Sequence, residues 1–161
     1  MPRVATFPAL MVVLLAIAGC AAEAPPPEPP FYEIVTSDAE LMKGIIDPNA
    51  FAVFDAVGAI VDADGIHEFE PATDEEWEMV ADRALGLAEA SNLLLMPERA
   101  QGRQSWIEQS EMMRERAIRA SETALLQDAE RLLEAGGELF EACQNCHDEY
   151  IIDPDSPAPL P

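Results

Sequence analysis

The chain has 161 residues, of which 31 are acidic and 9 are basic, and its formal net charge at pH 7 is −22. This length is enough for one domain with a hydrophobic core. A surface this negative repels nucleic acid and anionic lipid, so we expect no nucleic-acid partner. A strongly solvated surface would account for most of the charge without any partner.

The first residues have the layout of an export signal. Arg3 precedes an apolar run over residues 9–18 that is too short to span a bilayer and is typical of a signal-peptide core. The run ends in Ile17-Ala18-Gly19-Cys20, which resembles a bacterial lipoprotein processing site. We therefore predict a signal peptide over 1–19 and a lipid on Cys20. A plain secretory signal with a chance cysteine is the alternative.

Residues 20–32 are predicted to form a lipid-anchored tether. Their prolines favour an extended chain of roughly 3.1 Å per residue that cannot build a core. Ala21 stands where an aspartate would resemble an inner-membrane retention signal, which favours the outer membrane. The predicted location is the periplasm, with the domain lipid-anchored to a bacterial membrane. Cleavage before Cys20 removes Arg3 and leaves 8 basic against 31 acidic residues, a mature charge of −23.

A first helix is predicted from about Asp38, because Ser37 and Glu40 form a capping box. Asp47-Pro48 must kink or break this helix, with Asp47 capping a continuation whose first residue is Pro48. The apolar positions with helical period are Leu41, Met42, Ile45, Ile46, Phe51, Phe54, Val57 and Val61. Ala63-Asp64-Gly65 ends the helix, and the segment to Pro71 is expected to be a loop that leaves His67 solvated.

Three further helices are predicted. The second follows a capping box of Thr73 and Glu76 and stops at Pro97, the third runs from about Arg103 to Leu126, and the fourth opens near Asp128. The second carries a stripe of Trp77, Val80, Ala84, Leu87, Ala88 and the run Leu93-Leu94-Leu95-Met96. The third carries Trp106, Met113, Ala117, Ala120 and Ala124. The inward positions of the fourth are Ala129, Leu132, Leu133, Gly136, Leu139, Phe140, Cys143, Cys146, His147 and Tyr150.

Four helical segments with short connections, no alternating strand pattern and no internal repeat predict an all-α fold. The expected architecture is an antiparallel four-helix bundle over residues 33–152. The proline-rich residues 153–161 are expected to form a disordered tail.

The last predicted helix ends in Cys143-Gln144-Asn145-Cys146-His147, and Cys-x-x-Cys-His is the attachment signature of a c-type haem. On a helix the two thiols and the imidazole share one face, so Cys143 and Cys146 would bind the haem covalently and His147 would be the proximal iron ligand. A redox dithiol is expected at the start of a helix that follows a strand, and no strand pattern precedes this motif. A closed zinc site needs four ligands, one more than the motif supplies. With Cys20 lipidated, every cysteine has a role. Close approach to the haem, or a tight helix crossing, would explain Gly136-Gly137.

A four-helix pattern with this motif near the end of the last helix resembles the class II cytochromes c, the cytochrome c′ family. The resemblance covers roughly residues 33–152, and its specific part is Cys143 to Tyr150. Where the family often has an arginine four residues after the histidine, this chain has Ile151. The resemblance implies either a five-coordinate, gas-binding haem or a six-coordinate one that carries electrons and takes a methionine from the first helix.

Helix geometry points to Met42 as the sixth ligand. In an up-down-up-down bundle the start of the first helix lies beside the end of the last, so Met42 and His147 come to the same height. Met96 at the end of the second helix is the rival. Met112 and Met113 are expected to lie too deep in the third helix. A methionine on a helical stripe is more often core filler, which keeps an open iron site as the alternative.

These features together predict one covalently attached haem c in a periplasmic electron carrier that is not an enzyme. A redox partner protein with a basic docking surface is expected, the lipid gives contact with the membrane, and a homodimer is compatible with the sequence. The alternative is a five-coordinate sensor or scavenger of gases such as NO or CO. A haem-free structural lipoprotein would require the motif to be accidental.

Overall fold

A computed structural model describes residues 32–150 of the chain. The predicted signal peptide, the lipidation site Cys20, nearly all of the 20–32 tether and the 153–161 tail lie outside the described residues. Within residues 32–150, no helix combines the length and the hydropathy needed to cross a bilayer.

The described residues are mostly helical, which confirms the all-α expectation in broad terms, with a small two-stranded sheet added. In chain order the elements are α1 (Asp38–Leu41), a π turn (Met42–Ile46), α2 (Asp47–Phe54), β1 (Gly58–Asp62), β2 (Gly65–Phe69), α3 (Asp74–Leu94), α4 (Pro97–Ala100), α5 (Gln104–Leu125) and α6 (Ala129–Tyr150).

Both predicted capping boxes are present. The Glu40 N–H donates to Ser37 Oγ at 3.2 Å, and the Ser37 N–H donates to Glu40 Oε2 at 3.0 Å. The Glu76 N–H donates in the same way to Thr73 Oγ1 at 3.2 Å, with the return bond from the Thr73 N–H at 3.1 Å. These reciprocal bonds satisfy donors that the first helical turn leaves free, and they fix where α1 and α3 begin.

The helix does not break at Asp47-Pro48, and Asp47 does not cap a new helix. Instead the chain passes from α1 to α2 through the π turn, in which the Asp47 N–H donates to the carbonyl of Met42. A proline ring clashes with the carbonyl four residues earlier in a regular α-helix. The wider π turn relieves that clash, so the helical path continues.

Residues 58–69 form a hairpin, so the predicted helix through Val61 and the predicted loop to Pro71 are wrong. β1 and β2 pair antiparallel, with Val61 opposite Ile66 and Ile60 opposite His67. The turn closes where Asp62 Oδ1 accepts from the N–H groups of residues 64 and 65, at 2.8 and 3.2 Å. The φ angle of Gly65 is 135°, a region that only glycine adopts readily. Beta-branched side chains on either side of such a turn favour strands.

The core lies where α3 packs on α5, α5 on α6, and α2 on both α3 and α6. Ala117, Ala120 and Ala124 of α5 are fully buried, and their small side chains let the helices approach closely. All the predicted stripe of α5 is buried, as are Trp77, Val80, Ala84, Leu87 and Ala88 of α3. Five residues that the helical pattern placed on buried stripes are instead largely exposed: Ile45, Phe51, Val61, Leu133 and Phe140.

Candidate haem-binding site

The Cys-x-x-Cys-His motif occupies the last turns of α6. Cys143, Cys146 and His147 are each half-buried, whereas Gln144 and Asn145 are exposed. Cys143 also packs against the hydrophobic core. The spacing therefore puts the two thiols and the imidazole on the inward face of the helix, as the sequence predicts.

These three side chains line a cavity of about 290 Å³ together with Met42. Met96, the predicted rival, is not among the lining residues. Met113, which the height argument excluded, does line the cavity and is buried. The rest of the lining is mostly apolar and comprises Ile46, Asp47, Ala50, Phe51, Phe54, Leu94, Gln109, Ser110, Phe140, Ala142 and Gln144.

Met42 comes to this cavity on the first residue of the π turn. The turn is wider than an α-helical turn, and such insertions are frequent at functional sites. Met42 is half-buried and packs against the core. Pro48 supplies the local reason for the turn, so the sequence itself sets the irregular backbone that carries this thioether.

Burial raises the pKa of both thiols, so they are weaker acids than a solvent-exposed cysteine. It raises the pKa of Cys143 to about 11, with the negative charges of Cys146 and Asp47 adding to the effect. Burial also raises the pKa of Cys146, where Glu149 acts in the same direction and Arg103 opposes it. Thiol–disulfide catalysis uses the thiolate, which a raised pKa disfavours.

A protein-only metal site has no support in the described residues. Among residues 32–150, no three His, Cys, Asp or Glu side chains are grouped so that they could hold a metal ion. A haem iron differs because the macrocycle supplies four ligands and the protein adds only the axial ones. His147 with a thioether opposite it would meet that requirement.

Arg99 of α4 binds the start of the first helical segment. The Arg99 side chain is buried, donates from Nη1 to Asp38 Oδ1 and donates from Nη2 to the carbonyl of Thr36 at 2.9 Å. A buried cation is stable only when it is paired and hydrogen-bonded in this way. The pair holds α1 in place one turn before Met42.

A further contact joins the start of α5 to the end of α6. Ser105 Oγ donates to Glu149 Oε2, which sets these two residues at the same height. Counting turns from that level, Gln109 and Met113 fall beside the last two turns of α6 before the contact. By this count Met113 lies roughly 9 Å deeper than His147, as the height argument expects, and it nevertheless lines the cavity.

One buried polar atom of the cavity wall has no partner. Gln109 Oε1 is buried and accepts no hydrogen bond, whereas Ser110 Oγ donates to the Trp106 carbonyl at 2.8 Å. An unpaired buried acceptor is costly unless a donor completes it. A histidine that ligates iron through one ring nitrogen has a free N–H on the other, and such an N–H is normally bonded to an acceptor.

The other histidine lies away from this site. His67 is exposed on β2, with Nε2 at 3.3 Å from Asp62 Oδ1, and is not part of the cavity lining. It is solvated as predicted, although on a strand and not in a loop.

Searches for similar proteins found no matching family model, no matching curated protein and no matching solved structure. The assignment of the site therefore depends on the motif and on the geometry around it.

Proposed function

We propose that this protein is a c-type cytochrome that carries electrons and binds one haem c, with thioether bonds to Cys143 and Cys146. His147 is the proximal iron ligand and Met42 the distal one. The observation that carries the proposal is that Met42 lines the same cavity as the three motif residues, although it comes from the opposite end of the domain sequence. No residues suggest substrate turnover, and we propose no enzymatic activity.

We further propose the cytochrome c′-like architecture, an antiparallel four-helix bundle with the haem near the end of the last helix. Two contacts support the antiparallel order. Trp106 Nε1 at the start of α5 donates to the carbonyl of Leu94 at the end of α3, at 2.8 Å. At the other end of these helices, Gln127 Nε2 donates to Asp74 Oδ1 at 2.9 Å.

Two features of the cavity support this proposal. Its lining is largely apolar, as the faces of a macrocycle require, and Cys143, Cys146 and His147 all belong to that lining. Gln109 lines the cavity too, and its buried Oε1 has no partner, which makes it a candidate acceptor for the free ring N–H that a ligating His147 would have.

The iron would supply one-electron chemistry by cycling between its ferric and ferrous states. The chain contributes orientation, burial and axial ligands. Phe54 and Met113 would offer apolar surface to the haem, Cys143 and Cys146 would hold it covalently, and the buried Arg99–Asp38 pair fixes the start of the helical segment that carries Met42. A thioether ligand favours the ferrous state and so raises the potential.

We propose that the mature protein starts at a lipidated Cys20 and works in the periplasm on a membrane tether. This follows from residues 1–32 of the sequence alone. A mature charge of −23 supports a basic redox partner and opposes nucleic-acid binding. Membrane fractionation of wild-type protein and of Cys20→Ser tests the tether: the variant should leave the membrane or remain as uncleaved precursor.

The haem is tested by expression in a host that exports the chain and attaches c-type haem. The wild-type colour should survive acid–acetone extraction, whereas Cys143→Ala with Cys146→Ala should lose all colour in the same step. Extractable colour in the wild type would refute covalent attachment. A high-spin spectrum with carbon monoxide bound directly, without displacement of a ligand, would favour the gas-binding alternative.

A further inference from the structure

A second depression lies between α2 and α6, next to the haem-binding cavity. It has a volume of about 340 Å³, and its lining includes Phe51, Phe54, Leu133, Gly136, Gly137 and Phe140. We call it the phenylalanine groove. Phe51, Phe54 and Phe140 line both the groove and the cavity, so their rings form a common wall between the two.

The three rings of this wall are in contact. The Phe51 and Phe54 centroids are 6.1 Å apart at an interplanar angle of 85°, and those of Phe54 and Phe140 are 5.7 Å apart at 80°. Leu133, which lines the groove and not the cavity, is 56% exposed, and the exposed fractions of Phe51 and Phe140, 57% and 50%, include the side that each turns to the cavity. Large apolar side chains grouped on so charged a surface indicate an interaction site.

The glycine pair of α6 lies in this groove and is not explained by packing within the domain. A Cβ added at Gly137 would meet nothing within 4 Å, and one at Gly136 would meet only Val53 Cγ1, at 4.0 Å. No tight helix crossing therefore requires either glycine. Each costs roughly 1 kcal/mol against alanine inside a helix. What the pair provides is room for an incoming side chain to approach the α6 backbone.

Carboxylates border the groove. Asp55, the residue after α2, lines it, and Glu130 and Glu141 are three and four residues from Leu133 and Gly137 on α6. All three are exposed. A second copy of the chain would bring two such borders together and be repelled, whereas a basic border on another protein would be attracted.

We propose that the phenylalanine groove is the docking surface for a redox partner protein that inserts an apolar side chain and surrounds it with lysine or arginine. The redox character of the partner rests on the proposed function. Docking there places the partner against the common wall, directly beside the cavity that holds the haem. The exposed Leu133, the two glycines that packing does not require and the acidic border then have one explanation.

The test uses the haem-loaded mature chain and, as probe, a basic mitochondrial cytochrome c. Gly137→Gln fills the groove from a position where the fold leaves open space, and Leu133→Gln removes an apolar contact. Neither residue lines the haem cavity. Leu85→Gln is the matched control, because Leu85 is 50% exposed on α3, outside the groove.

At low ionic strength, titration of the isotope-labelled wild type should give saturable changes in the amide signals of α2 and α6, and added salt should reverse them. Gly137→Gln and Leu133→Gln should each weaken binding roughly tenfold, the size expected for a central interface residue. The electron-exchange rate should fall in parallel while the haem spectrum stays unchanged. Leu85→Gln should bind like the wild type.

Several outcomes would overturn the proposal: no saturable binding, signal changes centred on the hairpin or another face, or groove variants that bind normally. Self-association of the wild type that Gly137→Gln abolishes would assign the groove to a second copy and also refute it. The amide signals report docking without electron transfer. A docking failure with the haem attached therefore counts against this inference alone, and extractable haem counts against the proposed function.

Discussion

The rings of Trp106 and Tyr150 meet edge to face with their centroids 5.0 Å apart, and the Arg103 guanidinium lies over both. The guanidinium carbon is 4.3 Å from the Trp106 centroid and 5.3 Å from that of Tyr150. Arg103 also donates from Nε to the carbonyl of Ala100 at 3.2 Å and from Nη2 to that of Arg99 at 2.6 Å. This cluster joins the start of α5 to the last turn of α6, immediately beyond the Cys-x-x-Cys-His motif.

Arg103→Gln should therefore loosen the end of the molecule that carries the motif. Two cation–π contacts of roughly 0.5–1 kcal/mol each and two hydrogen bonds are lost, so we expect the free energy of unfolding to fall by about 2 kcal/mol. Chemical denaturation of the haem-loaded protein measures it. Arg114→Gln is the control, because Arg114 contacts Asn92 and Glu111 at the surface. Its replacement should lower the free energy of unfolding by less than about 0.5 kcal/mol. Equal losses in the two variants would contradict the role of the cluster.

The raised pKa of Cys143 predicts slow thiol chemistry in the haem-free chain. A thiol whose pKa is about 11 when folded and about 8.5 when unfolded keeps its proton more tightly in the fold. The tighter proton binding of the folded state contributes stability that is fully present below the unfolded pKa. This contribution is lost as the pH rises from the unfolded pKa to the folded pKa. Alkylation followed by mass spectrometry should find Cys143 nearly unreactive at pH 8 and reactive in urea. Equal rates with and without urea would show that the thiol is not buried.

Replacing Gly137 and Gly102 with alanine should change the free energy of unfolding in opposite directions. Gly137→Ala should raise the free energy of unfolding by about 1 kcal/mol, since the added methyl group has open space and alanine favours the helix. Gly102→Ala should lower it by about 1 kcal/mol, because Gly102 has a φ angle of 70° that strains an L-residue. Thermal unfolding of the two variants beside the wild type gives both signs. A destabilising Gly137→Ala would reveal a packing constraint on α6 within the domain.

The parts of the structure that local chemistry determines could be read from the sequence. The capping box of Ser37 and Glu40 depends only on the side chains and backbone of these two residues. Likewise, Cys143, Cys146 and His147 lie on one face of any helix because of their spacing. The α5 stripe and most of the α3 stripe are buried as predicted, because neighbouring helices cover these faces and the apolar period is unambiguous. Of the run Leu93-Leu94-Leu95-Met96, however, only Leu94 is fully buried.

The errors arose where local pattern is ambiguous or where packing decides. Phe51, Phe54, Val57 and Val61 satisfy a helical period, yet the glycine turn at Gly65 makes the last part a hairpin. A helical period also says which residues share a face but not how much of that face a neighbour covers. Thus Leu133 and Phe140 fall on the correct stripe of α6 and still reach solvent, since α2 covers only part of it.

The identity of the sixth ligand decides between electron transfer and gas binding, and three leucine variants can settle it. Met42 and Met113 line the cavity and Met96 does not. Leucine is apolar, is close to methionine in volume and has no sulfur, so each variant should fold. Met42→Leu should turn a low-spin spectrum high-spin, remove the near-infrared absorption of sulfur-ligated ferric haem, admit carbon monoxide and lower the potential. Met113→Leu and Met96→Leu should change none of these.

If Met113→Leu alone produces the change, α5 supplies the ligand and the role proposed for the π turn is wrong. If the wild type is already high-spin, both methionines are packing residues and the gas-binding function replaces the electron carrier.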